Sequence, residues 1–298
     1  MDRPPGAVGA GGVGVAPVHR APSRACVACG PALTDLDRAF AFARWLQEVT
    51  STRVGRFPWG TALFNDDIPE RYFSNFVRVE RSLAGVDVDA LVRETDRVMA
   101  GFRHRQIQVF DERDGERLAP ELATAGYSAE HSATMTLRRG PDRAPSLDVV
   151  EELDHADVRP FLLEVYRRSL PDPERHLTEA FADFRRVVQR AVGARFFAQR
   201  IDGGVAGLCE LYVLDDVAQV EHLDTLSEFR GRGIARNVVL RAVHEARAAG
   251  ADLVLIEADL DDWPKELYRR FGFDEIGRSW AFTRPPASVV EDASRSDG

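Results

Sequence analysis

Two glycines alternate with two arginines in one short stretch of the chain, Arg230-Gly231-Arg232-Gly233-Ile234-Ala235, between a strand-like apolar run and a helix-like run. Glycine lets the backbone turn tightly and come close to a ligand. The free N–H groups at the start of the next helix, together with the helix dipole and the arginine charges, favour an anion such as phosphate. The stretch therefore predicts a phosphate-binding helix start, and a Gly-rich turn that merely caps the helix is the alternative.

Two common phosphate loops do not match this stretch. A Walker A loop requires a lysine after its last glycine, and the only lysine of the chain, Lys265, lies elsewhere. A dinucleotide-binding loop follows the first strand of a βαβ unit and has a third glycine, where this chain has Arg236. The pattern here follows the third strand of a predicted antiparallel run.

A specific family resemblance begins at this loop. Arg230-x-x-Gly233-x-Ala235 resembles the [RQ]xxGx[GA] motif of the GNAT superfamily of acyl-CoA-dependent N-acyltransferases, and Leu223-x-Thr225 resembles the strand before it. The run Leu267-Tyr268-Arg269-Arg270-Phe271-Gly272-Phe273 is similar to the closing LYxxxGF signature of that family. The likeness covers about residues 146–286. It implies an α/β fold with a mixed central sheet flanked by helices, and acetyl-CoA as the acyl donor with no metal.

The resemblance also implies roles along the loop and the preceding strand. The loop N–H groups would hold the pyrophosphate of coenzyme A, the strand edge would pair with the pantetheine arm, and a backbone N–H near Thr225 or Leu226 would polarise the thioester carbonyl. Asp262 stands where the family often has asparagine, and a carboxylate there can only accept a hydrogen bond. The implied cofactor-binding residues are Leu223, Asp224, Thr225, Arg230, Gly231, Arg232, Gly233, Ile234, Ala235, Arg236 and Asp262.

Tyr268 aligns with the usual general acid of the family, which protonates the departing thiolate. A phenol suits this role because it keeps its proton across neutral pH. The alternative for Tyr268 is ordinary packing between a helix and the sheet.

The attacking amine must be neutral, so a general base is useful, often through water. Glu221 is the first candidate because strand alternation would place it on one face with Leu223 and Thr225, and would turn His222 and Asp224 away unless a bulge intervenes. The alternative for Glu221 is a solvent-exposed strand carboxylate.

Glu257 is the second candidate for the base, at the end of an apolar strand. It could instead be a paired structural carboxylate, and water alone could serve as the base. If several acidic residues of the sheet line one cleft, the substrate is expected to be cationic; the alternative is charges scattered over both faces of the sheet. The acidic residues in question are Glu210, Glu221, Asp224, Glu257 and Asp259.

Hydrophobic periodicity predicts the elements that position these residues. The order helix, helix, three strands, glycine loop, helix, strand, helix, strand indicates an α/β domain with a mixed sheet. Helices are predicted at 157–170, 177–192, 236–249 and 264–270, and strands at 194–199, 205–213, 217–226, 253–258 and 273–284.

The first part of the chain shows a similar order, with helix 88–102, strand 106–110, helix 116–125 and strand 131–138. Ala125-Gly126-Tyr127 resembles Phe271-Gly272-Phe273, which predicts two tandem copies of the GNAT-like fold, as in a tandem-domain bacterial type. Residues 82–86 contain one glycine and no RxxGxG pattern, so this copy is not expected to bind coenzyme A. It is expected to shape the substrate cleft or the assembly, with Trp59, Phe64, Tyr72 and Phe73 in the core or at the domain interface.

Turn-rich and low-complexity stretches set the expected boundaries. We expect a disordered tail at 1–30, a degenerate GNAT-like domain at 31–140, a linker at 141–145, a catalytic GNAT domain at 146–286 and a second tail at 287–298. The first residues contain no continuous apolar core, so we do not expect a signal peptide.

Composition excludes several classes of protein. The net charge of -9 over 298 residues argues against a nucleic-acid binder, and no apolar run is long enough for a membrane helix. Cys26-Val27-Ala28-Cys29 lacks the additional ligands that a zinc site needs. Without a disulfide framework the protein is expected in the cytoplasm.

The sequence thus predicts an acetyl-CoA-dependent N-acetyltransferase that acts on a primary amine of a small molecule or peptide, by direct attack in a ternary complex. Cys209 has no neighbouring base in the sequence, so we do not expect a covalent acyl-enzyme. The alternative is a non-catalytic acyl-CoA-binding or regulatory tandem module. A homodimer is left open.

Overall fold

The computed structural model describes residues 32–170, 172–261 and 264–286. Residues from Thr34 onwards form one compact unit. The two expected tails, the Cys26–Cys29 pair and Asp262 lie outside the described residues. The expected linker at 141–145 lies in the loop between the fifth and sixth strands.

The first half of the compact unit contains three helices and five strands. Their bounds are α1 (Asp35–Val49), β1 (Arg53–Phe57), β2 (Gly60–Phe64), β3 (Phe76–Val79), α2 (Val88–Val98), β4 (Arg105–Val109), α3 (Glu112–Thr124) and β5 (Ser128–Leu137). The helices begin at side-chain caps: Thr34 and Asp37 form a capping box at α1, and Asp111 caps α3.

The second half contains four helices and six strands. Their bounds are β6 (Val150–Leu153), α4 (His155–Ser169), α5 (Thr178–Val192), β7 (Arg195–Ile201), β8 (Gly204–Leu214), β9 (Val217–Thr225), α6 (Ile234–Ala248), β10 (Leu253–Asp259), α7 (Pro264–Phe271) and β11 (Phe273–Arg284). Helices α4 to α7 and strands β7 to β11 match the predicted elements to within about two residues. The mixed α/β architecture is confirmed.

The eleven strands of the described residues belong to one sheet, in the order β1-β2-β3-β4-β11-β5-β10-β9-β8-β7-β6. In the first half, β1 to β3 are antiparallel neighbours and β4 is parallel to β3; in the second half, β7 to β9 are antiparallel neighbours and β10 is parallel to β9. The predicted tandem repeat is therefore present, with α2 and α6, and α3 and α7, at equivalent positions.

The last strand of each half lies beside the other half. β11 pairs with β4, and β5 pairs with β10, while β5 and β11 pair with each other at the centre. A left-handed glycine precedes both exchanged strands, Gly126 (φ 84°) before β5 and Gly272 (φ 103°) before β11. These are the two glycines of the predicted repeat, and each ends a helix in the conformation that glycine favours.

The cores follow this exchange. Ala133 and Met135 of β5 are fully buried among residues of α6, α7 and β8 to β10. Phe282 of β11 is fully buried against α2, α3 and β2 to β4. On the other face of the sheet, α1 packs beside α5 over residues of both halves. Each half therefore completes the hydrophobic core of the other.

Phe282→Ala tests this shared core. Removing a buried phenylalanine leaves a cavity, so we expect the free energy of unfolding to fall by about 3–5 kcal/mol. Urea denaturation followed by circular dichroism and tryptophan fluorescence measures the effect, and both signals should fall in a single transition. Phe73→Ala is the matched control because Phe73 is 48% exposed. A loss no larger than that of the control would contradict the assignment.

Candidate active site

The parallel strands β9 and β10 run together and then separate. They pair from Val217 and Leu253 up to Val220 and Ile256, and no pairing continues beyond. Glu221 and Glu257 are the first residues after the last pair, so they lie on either side of the point where the strands part. β10 remains paired with β5 as far as Asp259, and β9 remains paired with β8 as far as Thr225, so each strand stays with its outer neighbour while the two separate.

A β-bulge in β9 accompanies this separation. Glu221 lies opposite Glu210 and Asp224 lies opposite Leu208, so an extra residue is accommodated between them, and His222 adopts a left-handed conformation (φ 51°). Residues directly opposite each other share a face of the sheet. Glu221 and Asp224 therefore share the face covered by α4 and α5.

The bulge corrects one prediction. Strict alternation placed Leu223 and Thr225 on the same face as Glu221, and turned His222 and Asp224 away. In the structure Leu223 packs with the α6 core. The His222 ring approaches Tyr166 of α4, with 3.5 Å between Nε2 and the phenolic oxygen. The extra residue inverts the alternation beyond Glu221.

The glycine loop begins α6 in the way that its sequence predicts. Gly231 (φ 77°) and Gly233 (φ 82°) are left-handed, and Gly233 is the N-cap of α6 without a side-chain hydrogen bond. The first helical hydrogen bond runs from the N–H of Asn237 to the carbonyl of Gly233. The N–H groups of the three intervening residues therefore have no partner within the helix and remain available to an anion.

A cavity of about 790 Å³ opens on this loop. Residues 223–225 and 230–236, which include all the predicted cofactor-binding residues except Asp262, line it together with Tyr268. Arg143 and Arg270 also line it and were not predicted as site residues. Arg270 could have been predicted from the sequence because it lies within the closing motif. Arg143 could not, because it lies in the β5–β6 loop, outside any motif.

The cavity fits a phosphate-bearing ligand such as coenzyme A. Five arginines line it, and the buried Nε of Arg236 and Oγ1 of Thr225 have no hydrogen-bond partner among the described residues. Buried polar groups in proteins are normally paired, so these two atoms indicate a ligand partner. The arginines are Arg143, Arg230, Arg232, Arg236 and Arg270.

The backbone of β9 narrows the choice of N–H group at the strand end. The N–H of Leu226 donates to the carbonyl of Ala206 (3.1 Å) and is therefore occupied. Because N–H directions alternate along a strand, the N–H of Thr225 points away from β8, toward the gap between β9 and β10. Of the two predicted residues, only Thr225 has a suitably directed N–H group.

A second cavity, of about 240 Å³, lies on the opposite face of the sheet, under α1 and α5. Glu221 and Glu257 both line it. Tyr268 lies in the α6–α7 core and faces the loop cavity. The structure therefore brings the two candidate bases together and separates them from Tyr268 by the sheet.

Both carboxylates have raised pKa values. Burial raises the pKa of Glu221, while the charge of Arg185 opposes this effect. Glu257 is open to water in the cavity, but protein surrounds it closely enough that desolvation, and then the charge of Glu221, raise its pKa to about 8. Ionisation of Glu221 therefore opposes ionisation of Glu257.

The buried charge of Glu210, which lies opposite Glu221, is compensated. Arg185 of α5 donates to Glu210 (Nε to Oε1, 2.7 Å), and the Tyr212 hydroxyl donates to the same carboxylate (2.5 Å). Burial acts to raise the pKa of Glu210, but Arg185 outweighs it and holds the pKa below the usual value. Glu210 is therefore a paired structural carboxylate and does not line either cavity.

His222 and Asp224 also have shifted pKa values. Burial, followed by the charge of Arg185, lowers the pKa of His222 to about 4, so its ring is neutral at pH 7. Burial raises the pKa of Asp224 to about 6, although Arg230 opposes the shift. His222 therefore adds no positive charge beside the acidic pair.

The equivalent helix start in the first half is closed to phosphate. The Asp87 carboxylate caps α2 by accepting from the N–H of Asp89 (3.3 Å), and Asp114 accepts from the N–H of Leu83 (2.9 Å) in the loop before it. Acidic groups at these positions repel an anion. The structure thus gives a physical reason for the prediction that this half does not bind coenzyme A.

Other predicted groups have no catalytic setting. Burial raises the pKa of Cys209 well above its usual value, and its thiol donates to the carbonyl of Val238, so it is not a nucleophile. Among the described residues, no cluster of His, Cys, Asp and Glu is arranged to hold a metal ion.

None of the helices in the described ranges has the length and apolar character needed to cross a membrane.

Comparison with family models matches residues 157–273 to the family described as Acetyltransferase (GNAT) family. The matched segment contains the loop, the bulged strand and α7. Comparison with curated protein sequences finds no match.

The fold is similar to two solved structures over most of the chain. A functionally unknown conserved protein from Staphylococcus epidermidis ATCC 12228 is 12% identical with a TM-score of 0.59, covering 80% of this chain and 95% of that chain. A GCN5-related N-acetyltransferase from Kribbella flavida is 16% identical with a TM-score of 0.58, covering 86% of this chain and 98% of that chain. At these identities the likeness establishes the fold, including both halves.

Gly233→Val tests the loop cavity. A side chain is strained at φ 82°, and its Cβ would come within 2.8 Å of the Arg236 guanidinium. We expect coenzyme A affinity, measured by calorimetry, to fall at least about tenfold because the helix start can no longer accept a phosphate closely. Gly203→Val is the matched control: Gly203 has φ 83° in the β7–β8 turn, with open space around it. Equal affinities in the two variants would contradict the assignment.

Proposed function

We propose that this chain, whose residues 157–273 form a domain of the GNAT acetyltransferase family, transfers an acetyl group from acetyl-CoA to a primary amine of a small molecule or peptide. The observation that carries the proposal is the position of the two cavities. They lie on opposite faces of the sheet and both reach β9, one at Glu221 and the other at Leu223. Such an arrangement suits direct attack in a ternary complex, because donor and acceptor approach one gap from opposite sides.

The loop side is proposed to hold the donor. The N–H groups at the start of α6 and the surrounding arginines bind the phosphates, and the N–H of Thr225 is directed to polarise a carbonyl in the gap. Acetyl-CoA supplies an acetyl group activated as a thioester. Tyr268 is proposed to donate the proton of its phenolic oxygen to the departing thiolate.

The carboxylate side is proposed to hold the acceptor amine. The ionised member of the Glu221 and Glu257 pair attracts an ammonium group and then accepts a proton from it, directly or through water. A raised pKa improves this function because a base is most effective when its pKa is near the working pH. Glu221 is the first choice for the base, and its charge raises the pKa of Glu257, which stays protonated while Glu221 ionises.

The proposal extends to the setting of the protein. We propose a cytoplasmic enzyme that binds neither nucleic acid nor membrane, which the net charge of -9 supports. The first half, 31–140, is proposed to contribute to the acceptor side alone, and 146–286 to carry the reaction. A homodimer is not required, because both cavities are formed within one chain.

An amine panel with acetyl-CoA, read by the appearance of free thiol, tests the proposed function. Wild-type protein should turn over at least one primary amine. Tyr268→Phe should lower kcat about 10- to 100-fold with little change in coenzyme A affinity, because only the proton donor is removed.

Two outcomes of this experiment oppose the proposal. Tight coenzyme A binding without turnover of any amine would favour the non-catalytic acyl-CoA-binding module. A Tyr268→Phe variant with the wild-type rate would leave Tyr268 with a packing role only.

The pH dependence tests the carboxylate pair. The base must be ionised, and the raised pKa values delay ionisation, so kcat/KM should rise with pH through an apparent pKa above the ordinary carboxyl value of 4.5. Glu257 is still protonated in this range, because desolvation and the charge of Glu221 raise its pKa to about 8, so Glu257→Gln should leave the limb in place, whereas Glu221→Gln should remove it. A pH profile of thiol release measures both variants.

Glu228→Gln is the control for this change. Glu228 is exposed, pairs with Arg168 and lies outside both cavities. A limb that moves in Glu257→Gln but not in Glu228→Gln, or that persists in Glu221→Gln, would contradict the assignment of Glu221 as the base that ionises first.

A further inference from the structure

The acceptor cavity has two arginines as well as two carboxylates. Arg71, in the loop after β2, and Arg185 of α5 line the same 240 Å³ space as Glu221 and Glu257. The four charged residues therefore give this cavity both a positive and a negative side. The volume is below the range of about 300–1,000 Å³ that is usual for drug-sized ligands, so a small acceptor fits better than a peptide chain.

The two arginines differ in their partners. Arg185 is neutralised by Glu210, as described above. Arg71 donates to the Ser74 hydroxyl (2.5 Å) and lies over the Phe184 ring, 4.5 Å from its centroid. Among the side chains that the structure describes, which exclude those of residues 171–174, no carboxylate comes within ion-pair distance of Arg71. One positive charge in the cavity thus has no anionic partner from the described protein.

The environment of Arg71 makes this charge costly. Burial, and then the like charge of Arg185, lower the pKa of Arg71. A guanidinium in such a place is stabilised when a carboxylate or phosphate binds it, because a charge-assisted hydrogen bond then replaces the lost water. Phe73, Phe110 and Phe184 also line the cavity and give it apolar surface.

We propose that the acceptor is a small zwitterion, an amine that also carries a carboxylate or another anionic group, and that Arg71 binds the anionic group while Glu221 and Glu257 bind the amine. This inference rests on the proposed function and narrows its substrate class. It also gives the first half a specific role, since Arg71 belongs to that half and lies across the cavity from β9 and β10.

Matched acceptors test the proposal. Phenylalanine, leucine and 4-aminobutyrate are each compared with the amine left when the carboxylate is removed: phenethylamine, isopentylamine and propylamine. In the thiol-release assay, kcat/KM should be at least about tenfold higher for the best carboxylate-bearing member, mainly through a lower KM, because Arg71 binds in the ground state as well as the transition state.

Arg71→Gln should remove this preference. Its kcat/KM for the carboxylate-bearing acceptor should fall about 10- to 100-fold, at least tenfold more than for the matched amine. Arg71→Lys, which keeps the charge but not the planar fork, should restore part of the preference. Arg53→Gln is the matched control. Arg53 also belongs to the first half and lies over a phenylalanine ring, that of Phe64, but it does not line the cavity. Thermal melting shows whether each variant is folded.

Calorimetry without coenzyme A separates this inference from the proposed function. Phenylalanine should bind wild-type protein more tightly than phenethylamine, and Arg71→Gln should abolish the difference. Turnover of amines without any preference for the carboxylate-bearing members would overturn the zwitterion inference and leave the acetyltransferase proposal standing. Preferential binding of phenylalanine with no turnover of any amine would support the zwitterion site and overturn the acetyltransferase proposal.

Discussion

The separation of β9 from β10 beyond the Val220–Ile256 pair determines most of what this molecule can do. Two parallel strands that stayed paired would form a continuous sheet, with no opening between its two faces. The bulge at His222 turns β9 away while β8 still holds it, and α6 then begins at Gly233. The phosphate loop, the free N–H of Thr225 and the carboxylate pair all depend on this one divergence.

Charge is divided between the two faces at this gap. Arginines concentrate around the loop cavity, whereas the acidic pair faces α1 and α5. On the proposed function, an anionic cofactor and a protonated amine would be attracted to opposite sides of one sheet. The overall charge of -9 hides this division, because ion pairs elsewhere in the sheet, such as Arg195 with Glu152, contribute to both totals without lining either cavity.

The sequence was informative where the structure depends on local pattern. The Arg230–Ala235 loop, the helices around it and the Gly126 and Gly272 repeat all have short-range signals, and the structure contains each of them. The face of Leu223 was predicted wrongly because a bulge arises from pairing with β8, which alternation within β9 cannot show. β1 to β3 and α1 were not predicted, and the position of Arg71 depends on contacts between the halves. The exchange of β5 and β11 is likewise a property of the sheet as a whole.

That exchange has a consequence for how the protein is made. The core of the first half includes Phe282, which lies close to the end of the described chain. A ribosome adds about 5–20 residues per second, so the first half waits on the order of ten seconds for β11 after β5 has emerged. During that interval the edge of β4 is uncovered and able to pair wrongly. The risk of aggregation then arises from the delay during synthesis. It does not depend on the stability of the finished sheet.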